Sequence, residues 1–207
     1  MELVYLDPYH FFNRTIMPKN PTIMKVGVCG TTADLVMAKR MYPESKVIGY
    51  EADPNNYKAM QPSTKGCVDS FINQAISVNP SIILHRFTNS VSHSVYPRHE
   101  KEPNCVFVDK IEIPAVTLLT AMKDRNIDRI SLLVLNCEGA ELEIMRMLKD
   151  EELRSRIDQI CVSFHNPRIY SDERMEKFVS PVRQHYHVVR GDCPRGGIPD
   201  HLMIRKV

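Results

Sequence analysis

One acidic side chain, Glu51, ends the apolar run Lys46 to Tyr50, which the residue pattern predicts to be a strand. It stands roughly 20 residues after the end of the first predicted strand, beyond a turn and a helix, where dinucleotide-binding folds place an acid. A carboxylate there can accept hydrogen bonds from both hydroxyls of a ribose, because it has two oxygens. The position is equally compatible with an ordinary strand-to-helix turn whose acid is solvated. Pro54 favours a helix that begins directly afterwards.

A polar cluster follows the nearly continuous apolar run Ile130 to Leu135. Such a run is typical of a strand that is buried on both faces. Ligands of open α/β sheets bind beyond the carboxyl ends of the strands, so we expect Asn136 and Glu138 to project into a binding crevice. Glu141 opens the next predicted helix, where we expect its charge to complement the helix dipole.

His165 directly follows the predicted strand Gln159 to Phe164 and is therefore expected beside the same crevice. An imidazole has an unperturbed pKa of about 6.5, which suits a general base near neutral pH. A histidine that is bonded to a loop carbonyl fits the sequence equally well. Glu138 is the other candidate for a base in this region.

The elements that must position these side chains alternate along the chain between strand-like and helix-like patterns. The predicted strands are Ile23 to Cys29, Lys46 to Tyr50, Ser81 to Phe87, Ile130 to Leu135, Gln159 to Phe164, Tyr186 to Arg190 and His201 to Lys206. The predicted helices are Ala33 to Tyr42, Pro54 to Met60, Val68 to Val78, Val116 to Arg125, Gly139 to Leu148 and Glu173 to His185. This alternation favours a mostly parallel sheet with helices on both faces. The last two strands have no helix between them, so we expect them to pair as an antiparallel hairpin.

Two segments do not follow the alternation. Residues 1–22 are rich in aromatic residues and proline, and we expect a loop or short helix that packs as an extension on a single domain formed by residues 23–207. The segment Asn89 to Val108 alternates only weakly and contains prolines and charged residues. It predicts a β-hairpin or a mobile loop, in which His93 and His99 are placed to contact a substrate.

Three stretches of the chain match phrases of one known family. They are Gly49 to Pro54, Leu135 to Glu141 and Thr88 to Ser92. These stretches resemble, in that order, the phrases v-a-F-E-P-d-p at the second strand, l-K-i-D-v-E-G-a-E at the fourth strand and n-a-A-v-s after the third strand of FkbM-type methyltransferases. The resemblance covers residues 26 to 164 and implies a single Rossmann-like, class I methyltransferase domain.

The resemblance also implies a reaction and a cofactor. FkbM-type enzymes transfer a methyl group from S-adenosylmethionine, usually to a hydroxyl oxygen on a sugar or a polyketide-type molecule. His165 or Glu138 would remove the proton of the alcohol, and the pKa of imidazole favours His165. The residues expected to hold the cofactor are Gly27, Gly30, Thr31, Glu51, Asp53, Asn89, Ser90 and Asn136.

The chain departs from the family at two places. The family's glycine loop reads D-x-G-x-x-x-G, whereas Gly27 and Gly30 are three residues apart and no acid leads the loop. Asn136 replaces the family's usual aspartate. An amide is a poor ligand for a hard cation and cannot act as a base, so we expect no metal in the site.

Two other functions fit parts of the sequence. A non-catalytic binding module on the same fold would explain the altered glycine loop. A nicotinamide-dependent oxidoreductase is the weaker alternative, because the chain lacks a complete G-x-G-x-x-G fingerprint.

Composition narrows the classes of partner. The chain has 27 basic and 25 acidic residues, so it lacks the strongly basic balance of a nucleic-acid-binding protein. It contains no apolar run of the roughly 20 residues that a membrane span needs. With no signal-peptide pattern and no C-x-x-C pair among six widely spaced cysteines, we expect a cytoplasmic protein with free thiols. We expect a small-molecule or glycan acceptor, and the sequence leaves a homo-oligomer open.

Overall fold

The structure is a computed structural model that describes residues 1–7, 10–28, 30–97, 105–165, 176, 179–191 and 201–206. Its strands are β1 (Leu3–Tyr5), β2 (Phe11–Asn13), β3 (Thr22–Val26), β4 (Lys46–Glu51), β5 (Ser70–Asn73), β6 (Ala75–Ile76), β7 (Ser81–Phe87), β8 (Phe107–Val116), β9 (Leu132–Leu135), β10 (Gln159–Val162), β11 (Tyr186–Arg190) and β12 (His201–Arg205). Its α-helices are α1 (Ala33–Met41), α2 (Pro54–Thr64), α3 (Leu118–Asp124), α4 (Glu141–Met147) and α5 (Glu151–Ser155). Short 3-10 helices cover Arg14–Ile16, Ser90–Ser92 and Ser180–Val182.

Seven strands form a central sheet in the order β11-β12-β10-β9-β3-β4-β5. All neighbours from β10 to β5 are parallel. In contrast, β12 is antiparallel to both β10 and β11. Every residue of β9 and β10 is buried, which explains why these strands read as continuous apolar runs. The prediction of a mostly parallel α/β sheet that ends in an antiparallel hairpin is confirmed.

Alternate residues of the central strands pack on opposite faces of the sheet, as the pleat requires. Met24 and Leu133 belong to a core cluster that includes side chains of α3, α4 and α5. Their neighbours Ile23 and Leu132 belong to a second cluster on the other face, with side chains of α1 and α2. The sheet is thus covered by helices on both sides.

The N-terminal segment differs from its prediction. The prediction of a loop or short helix is only partly right, because β1 and β2 pair antiparallel before a short 3-10 helix. Phe11 and Phe12 are buried in the second core cluster. The backbone N–H of Asn13 donates to the side-chain oxygen of Gln159 in β10, at 2.8 Å. These contacts fix the segment against the domain through its aromatic residues.

The predicted helix Val68 to Val78 is wrong, because the structure has β5 and β6 there. β5 pairs with β4 in parallel, with Ser70 opposite Ile48 and Asn73 opposite Glu51. Apolar spacing in so short a segment does not decide between helix and strand, so pairing at the sheet edge decides it. β5 is therefore the third strand of the central sheet, a place that the sequence analysis gave to Ser81 to Phe87.

Strand β7 instead pairs antiparallel with β8, and β6 completes a separate three-stranded sheet. The expectation of a hairpin or loop over residues 89–108 is only partly right. Residues 90–92 form a 3-10 helix, and the hairpin joins β7 to a strand that begins at Phe107. Leu84 and Ile113 form a small core on the inner face of this sheet.

Part of the predicted helix Glu173 to His185 lies outside the described residues (173–175, 177 and 178), and the described part contains a 3-10 helix at Ser180–Val182. Cys29, the end of the first predicted strand, and His99 also lie outside the described residues. The other predicted helices are found, with α2 extended to Thr64 and α5 added. Within the described ranges, no helix is both long enough and apolar enough to cross a membrane.

Candidate active site

A cleft lies where the carboxyl ends of β3, β4 and β9 meet, and its empty volume, open solvent included, is about 520 Å³. Both polar and apolar side chains line the cleft. The polar ones are Glu51, Asn56, Gln74, His93, Asn136 and Glu138, and the apolar ones include Ile76, Ile82, Leu84 and Val95.

The glycine loop after β3 brings two backbones into close contact. Gly27 has a φ of +80°, and a Cβ built on it would lie 2.0 Å from the carbonyl oxygen of Asn136. The N–H of Gly27 also donates to the carbonyl of Tyr50 at 2.9 Å. Any side chain at this position would push β3 and β9 apart, so Gly27 is required by sterics. Gly30, exposed and with a φ of +76°, lies against the side chain of Val91.

The acids after β4 have different roles. Glu51 is buried, lines the cleft and accepts a hydrogen bond from the N–H of Asp53 at 2.9 Å. Asp53 is the N-cap of α2, because its Oδ1 accepts from the N–H groups of Asn55 and Asn56 at 2.8 Å each. The structure therefore places Glu51 at the cleft and Asp53 directly behind it, outside the lining.

The loop between β9 and α4 is organised by Glu141. This side chain is fully buried, and its two oxygens accept from the N–H groups of Cys137 and Gly139 at 2.9 Å each. The expected role beside the helix dipole is therefore incomplete, because Glu141 also fixes the backbone of the loop. Glu138 has a left-handed φ of +50°, which is strained for a residue with a side chain. Such strain is often found where a side chain is aimed at a ligand.

His165 lies beside these carboxylates. Its Nδ1 is 3.0 Å from the carbonyl oxygen of Ser163 and 3.3 Å from Glu141 Oε1. Both atoms are acceptors, so this network assigns the proton of the neutral ring to Nδ1. Nε2, 3.6 Å from Glu138 Oε1, is then the basic nitrogen. His165 is not itself among the residues that line the cleft, but it contacts Glu138, which is.

Cys137 also lines the cleft, between Asn136 and Glu138. Burial, together with the negative charges of Glu141 and Glu138, raises the pKa of its thiol well above the ordinary value. The thiol therefore stays protonated near neutral pH, which makes a nucleophilic role for Cys137 unfavourable.

Asn136 offers an acceptor with no partner. Its side-chain oxygen is buried and has no hydrogen-bond partner among the residues that the structure describes. A buried amide oxygen without a donor is costly, so a ligand that brings an N–H or ammonium group would be stabilised here. The residue lines the cleft together with Gly27.

Sequence reasoning missed Gln74, Ala75 and Ile76, which follow β5 and line the cleft. The signal was present, because the family phrase n-a-A-v-s after the third strand is also similar to Asn73 to Ser77. The wrong helix over this region sent that phrase to Thr88 to Ser92 instead.

Five residues that we expected to bind cofactor are not part of the described cleft lining: Gly30, Thr31, Asp53, Asn89 and Ser90. Asn89 caps the 3-10 helix by accepting from the N–H of Val91. The hydroxyl oxygen of Thr31 accepts from the N–H of Ala33. Ser90 is a neighbour of the lining, because its carbonyl accepts from the side-chain amide of Asn56 at 3.0 Å.

Comparison with known families decides the class of this site. The Methyltransferase FkbM domain matches the chain over residues 25–190. The chain belongs to the FkbM methyltransferase family. The match also supports the cofactor that the resemblance implies, S-adenosylmethionine, and it disfavours the nicotinamide-dependent alternative. No curated protein matches the sequence.

Solved structures agree with the fold. The chain is similar to the human methyltransferase 10 domain containing protein, with a TM-score of 0.52 at 8% identity over 94% of this chain and 74% of that one. It is similar to the METTL16 MTase domain, with a TM-score of 0.52 at 9% identity over 89% of this chain and 59% of that one. The fibrillarin/NOP5P complex gives a TM-score of 0.51 at 7% identity, over 92% and 75% of the two chains. At these identities the likeness concerns the fold alone.

The residues of the FkbM site suit S-adenosylmethionine in chemical type. Glu51 offers a carboxylate for the ribose hydroxyls, and the unpartnered oxygen of Asn136 suits the ammonium of the methionine group. Gly27 lines the cleft together with both. The apolar side chains Ile76 and Leu84 offer a surface for the adenine ring.

Proposed function

We propose that the chain transfers the methyl group of S-adenosylmethionine to a hydroxyl oxygen of a sugar or another small natural-product-type acceptor. The observation that carries the proposal is the orientation of His165. Its Nδ1 faces two acceptors, so the basic Nε2 is directed towards Glu138 at the edge of the cleft. An imidazole held in this tautomer is suited to take a proton from an alcohol.

The proposed reaction is an in-line displacement at carbon. S-adenosylmethionine supplies an electrophilic methyl group that is bonded to a sulfonium. Glu51 and Asn136 bind the donor and orient it, which lowers the entropic barrier. His165 Nε2 accepts the proton as the new O–CH₃ bond forms and the S–CH₃ bond breaks. Glu138 stabilises the imidazolium that results, because its carboxylate lies 3.6 Å away.

The test is a transfer assay with radiolabelled S-adenosylmethionine and a panel of acceptors. The panel should contain monosaccharides, glycosides, hydroxylated polyketide-type compounds, an RNA and a protein. We expect label on a hydroxylated small molecule. Binding of S-adenosylhomocysteine with no transfer to any member would instead favour the non-catalytic module. Transfer only to the RNA or protein would overturn the acceptor class.

Removing the proposed ribose ligand should weaken cofactor binding. Glu51→Ala is expected to lower the affinity for S-adenosylhomocysteine by about 1–3 kcal/mol, because it strands the partners of a charge-assisted hydrogen bond. Isothermal titration calorimetry measures the change. Asp69→Ala is the control, because Asp69 lies between α2 and β5 and outside the cleft lining. Unchanged affinity in a folded Glu51→Ala protein would remove Glu51 from the site.

Chelation should leave the activity intact. The cleft offers an amide, Asn136, where a hard cation would prefer a carboxylate. Among the described residues, the one group with ligand atoms close enough for a metal is Asp7, His10 and Asp34, which is outside the cleft lining. We therefore expect full transfer activity in EDTA. Activity that is lost in EDTA and restored by Mg²⁺ would contradict this prediction.

A further inference from the structure

His93 presents a hydrogen-bond donor to the cleft. Its ring lines the cleft, and its Nδ1 accepts a hydrogen bond from the N–H of Phe87 at 3.2 Å. Because a neutral imidazole has one proton, that proton is then on Nε2. In the described part of the chain, Nε2 has an ion-pair neighbour, Asp53, but no hydrogen-bond partner.

The carboxylate of Asp53 lies close to this donor. While its Oδ1 caps α2, its Oδ2 is buried and has no hydrogen-bond partner among the described residues. Oδ2 lies 3.8 Å from Nε2 of His93 and 3.9 Å from Arg86, whose guanidinium is bonded to Asp109. The carboxylate is thus close enough to orient the imidazole but too far to take up its proton in a hydrogen bond.

The protonation of His93 also favours a neutral donor. Burial lowers the pKa of His93 from its ordinary value, and the opposing effect of the Asp53 carboxylate is smaller. Asp109 acts in the same direction as Asp53, and Arg86 acts against it. Near neutral pH the ring is therefore uncharged, with Nδ1 as acceptor and Nε2–H as donor.

The order of the strands places this donor at one end of the ligand. Asn136 and Glu138 follow β9, whereas Gln74 follows β5, and Glu51 lies between them on β4. An S-adenosylmethionine molecule with its ribose at Glu51 and its methionine group at Asn136 has its adenine ring on the β5 side. The wall there consists of Ile82 and Leu84 of the hairpin, together with His93. Such a wall fits a flat heteroaromatic ring that accepts one hydrogen bond.

We propose that His93 is a specificity-determining residue that recognises the adenine ring of the cofactor, with its Nε2–H donating to one ring nitrogen and Asp53 acting as the positioning residue. This inference rests on the proposed function only in its choice of cofactor. It assigns a role to His93, which follows β7 in the chain.

The experiment pairs one protein atom with one ligand atom. Isothermal titration calorimetry is carried out with S-adenosylhomocysteine and with its 1-deaza, 3-deaza and 7-deaza analogues, each of which lacks one ring nitrogen. The wild-type protein is expected to bind one analogue about tenfold more weakly than the parent, the worth of a single hydrogen bond. His93→Phe should bind the parent about tenfold more weakly and should no longer distinguish that analogue.

Further variants separate recognition from structure. His93→Gln keeps an N–H donor and should keep part of the distinction. Asp53→Asn keeps the helix cap and removes the charge close to the ring. It should therefore weaken the binding of S-adenosylhomocysteine and reduce the difference in affinity between this compound and the analogue. His85→Phe, on the same hairpin but outside the cleft lining, should change nothing.

Three results would overturn the inference. If the wild-type protein binds all three analogues like the parent, no ring nitrogen is recognised. If His93→Phe weakens all four compounds equally, the residue is merely structural. If that variant changes only the KM of the methyl acceptor, His93 faces the acceptor instead. In each of these cases S-adenosylhomocysteine still binds, so the proposed function survives, whereas no binding of the parent compound would overturn both.

Discussion

His165→Ala is expected to slow methyl transfer by about 10²–10⁴-fold, the usual loss when a general base is removed. A neutral hydroxyl is a weak nucleophile, so its proton must have an acceptor as the new bond forms. The affinity for S-adenosylhomocysteine should barely change, because the contacts proposed for its ribose and ammonium come from Glu51 and Asn136. Turnover in the wild-type protein should also fall on acidification, since an imidazolium cannot accept a proton. Single-turnover rates and calorimetry measure the two effects separately.

Two companion variants assign the role. His187→Ala removes a histidine of β11 that is outside the cleft lining, and it should retain full activity. Glu138→Gln keeps the shape of the side chain but removes the charge that stabilises the imidazolium, so a smaller loss is expected. Full activity in His165→Ala with a large loss in Glu138→Gln would move the base to Glu138. If neither variant loses activity, the proposed proton transfer is wrong.

Elements that are buried on both faces were predictable from the sequence, whereas the strands β5 and β8 were not. β9 and β10 are wholly buried and give continuous apolar runs that only a central strand explains. β5 is an edge strand with half-exposed side chains, so its apolar spacing also suited a helix. β8 begins with two exposed residues and alternates only in part. Their strand state comes from pairing with distant residues, which local pattern does not encode.

The candidate site shows the same division. The rule that ligands bind beyond strand carboxyl ends led to Glu51, Asn136 and Glu138, and all three line the cleft. The role of Glu141 depends on a loop that turns back so that two N–H groups face its carboxylate, and spacing alone does not show this. His93 is held at the cleft by the N–H of Phe87 and by the neighbouring bridge between His85 and Ser94, which the residue pattern does not show.

A buried ion pair joins the two ends of the altered glycine loop. Lys25 stands two residues before Gly27, where the family phrase has an acid. Its Nζ lies 2.5 Å from Oδ2 of Asp34, and both side chains are almost completely buried. Asp34 is in the first turn of α1, directly after the loop. The ion pair therefore joins the strand before the loop to the helix after it. Nδ1 of His10 lies 3.6 Å from the same oxygen of Asp34.

Breaking this pair from one side should be far more costly than replacing both partners. Lys25→Met leaves Asp34 as a buried charge without its cation, so we expect a loss of about 3–5 kcal/mol in the free energy of unfolding. The double variant Lys25→Met/Asp34→Leu removes both charges and should recover most of that loss, because apolar side chains of similar volume can replace a buried pair. Lys39→Met, in a partly exposed pair with Asp69, should cost no more than about 1 kcal/mol. Urea unfolding measures all three, and a Lys25→Met loss no larger than that of Lys39→Met would show that the buried pair does not fix the glycine loop.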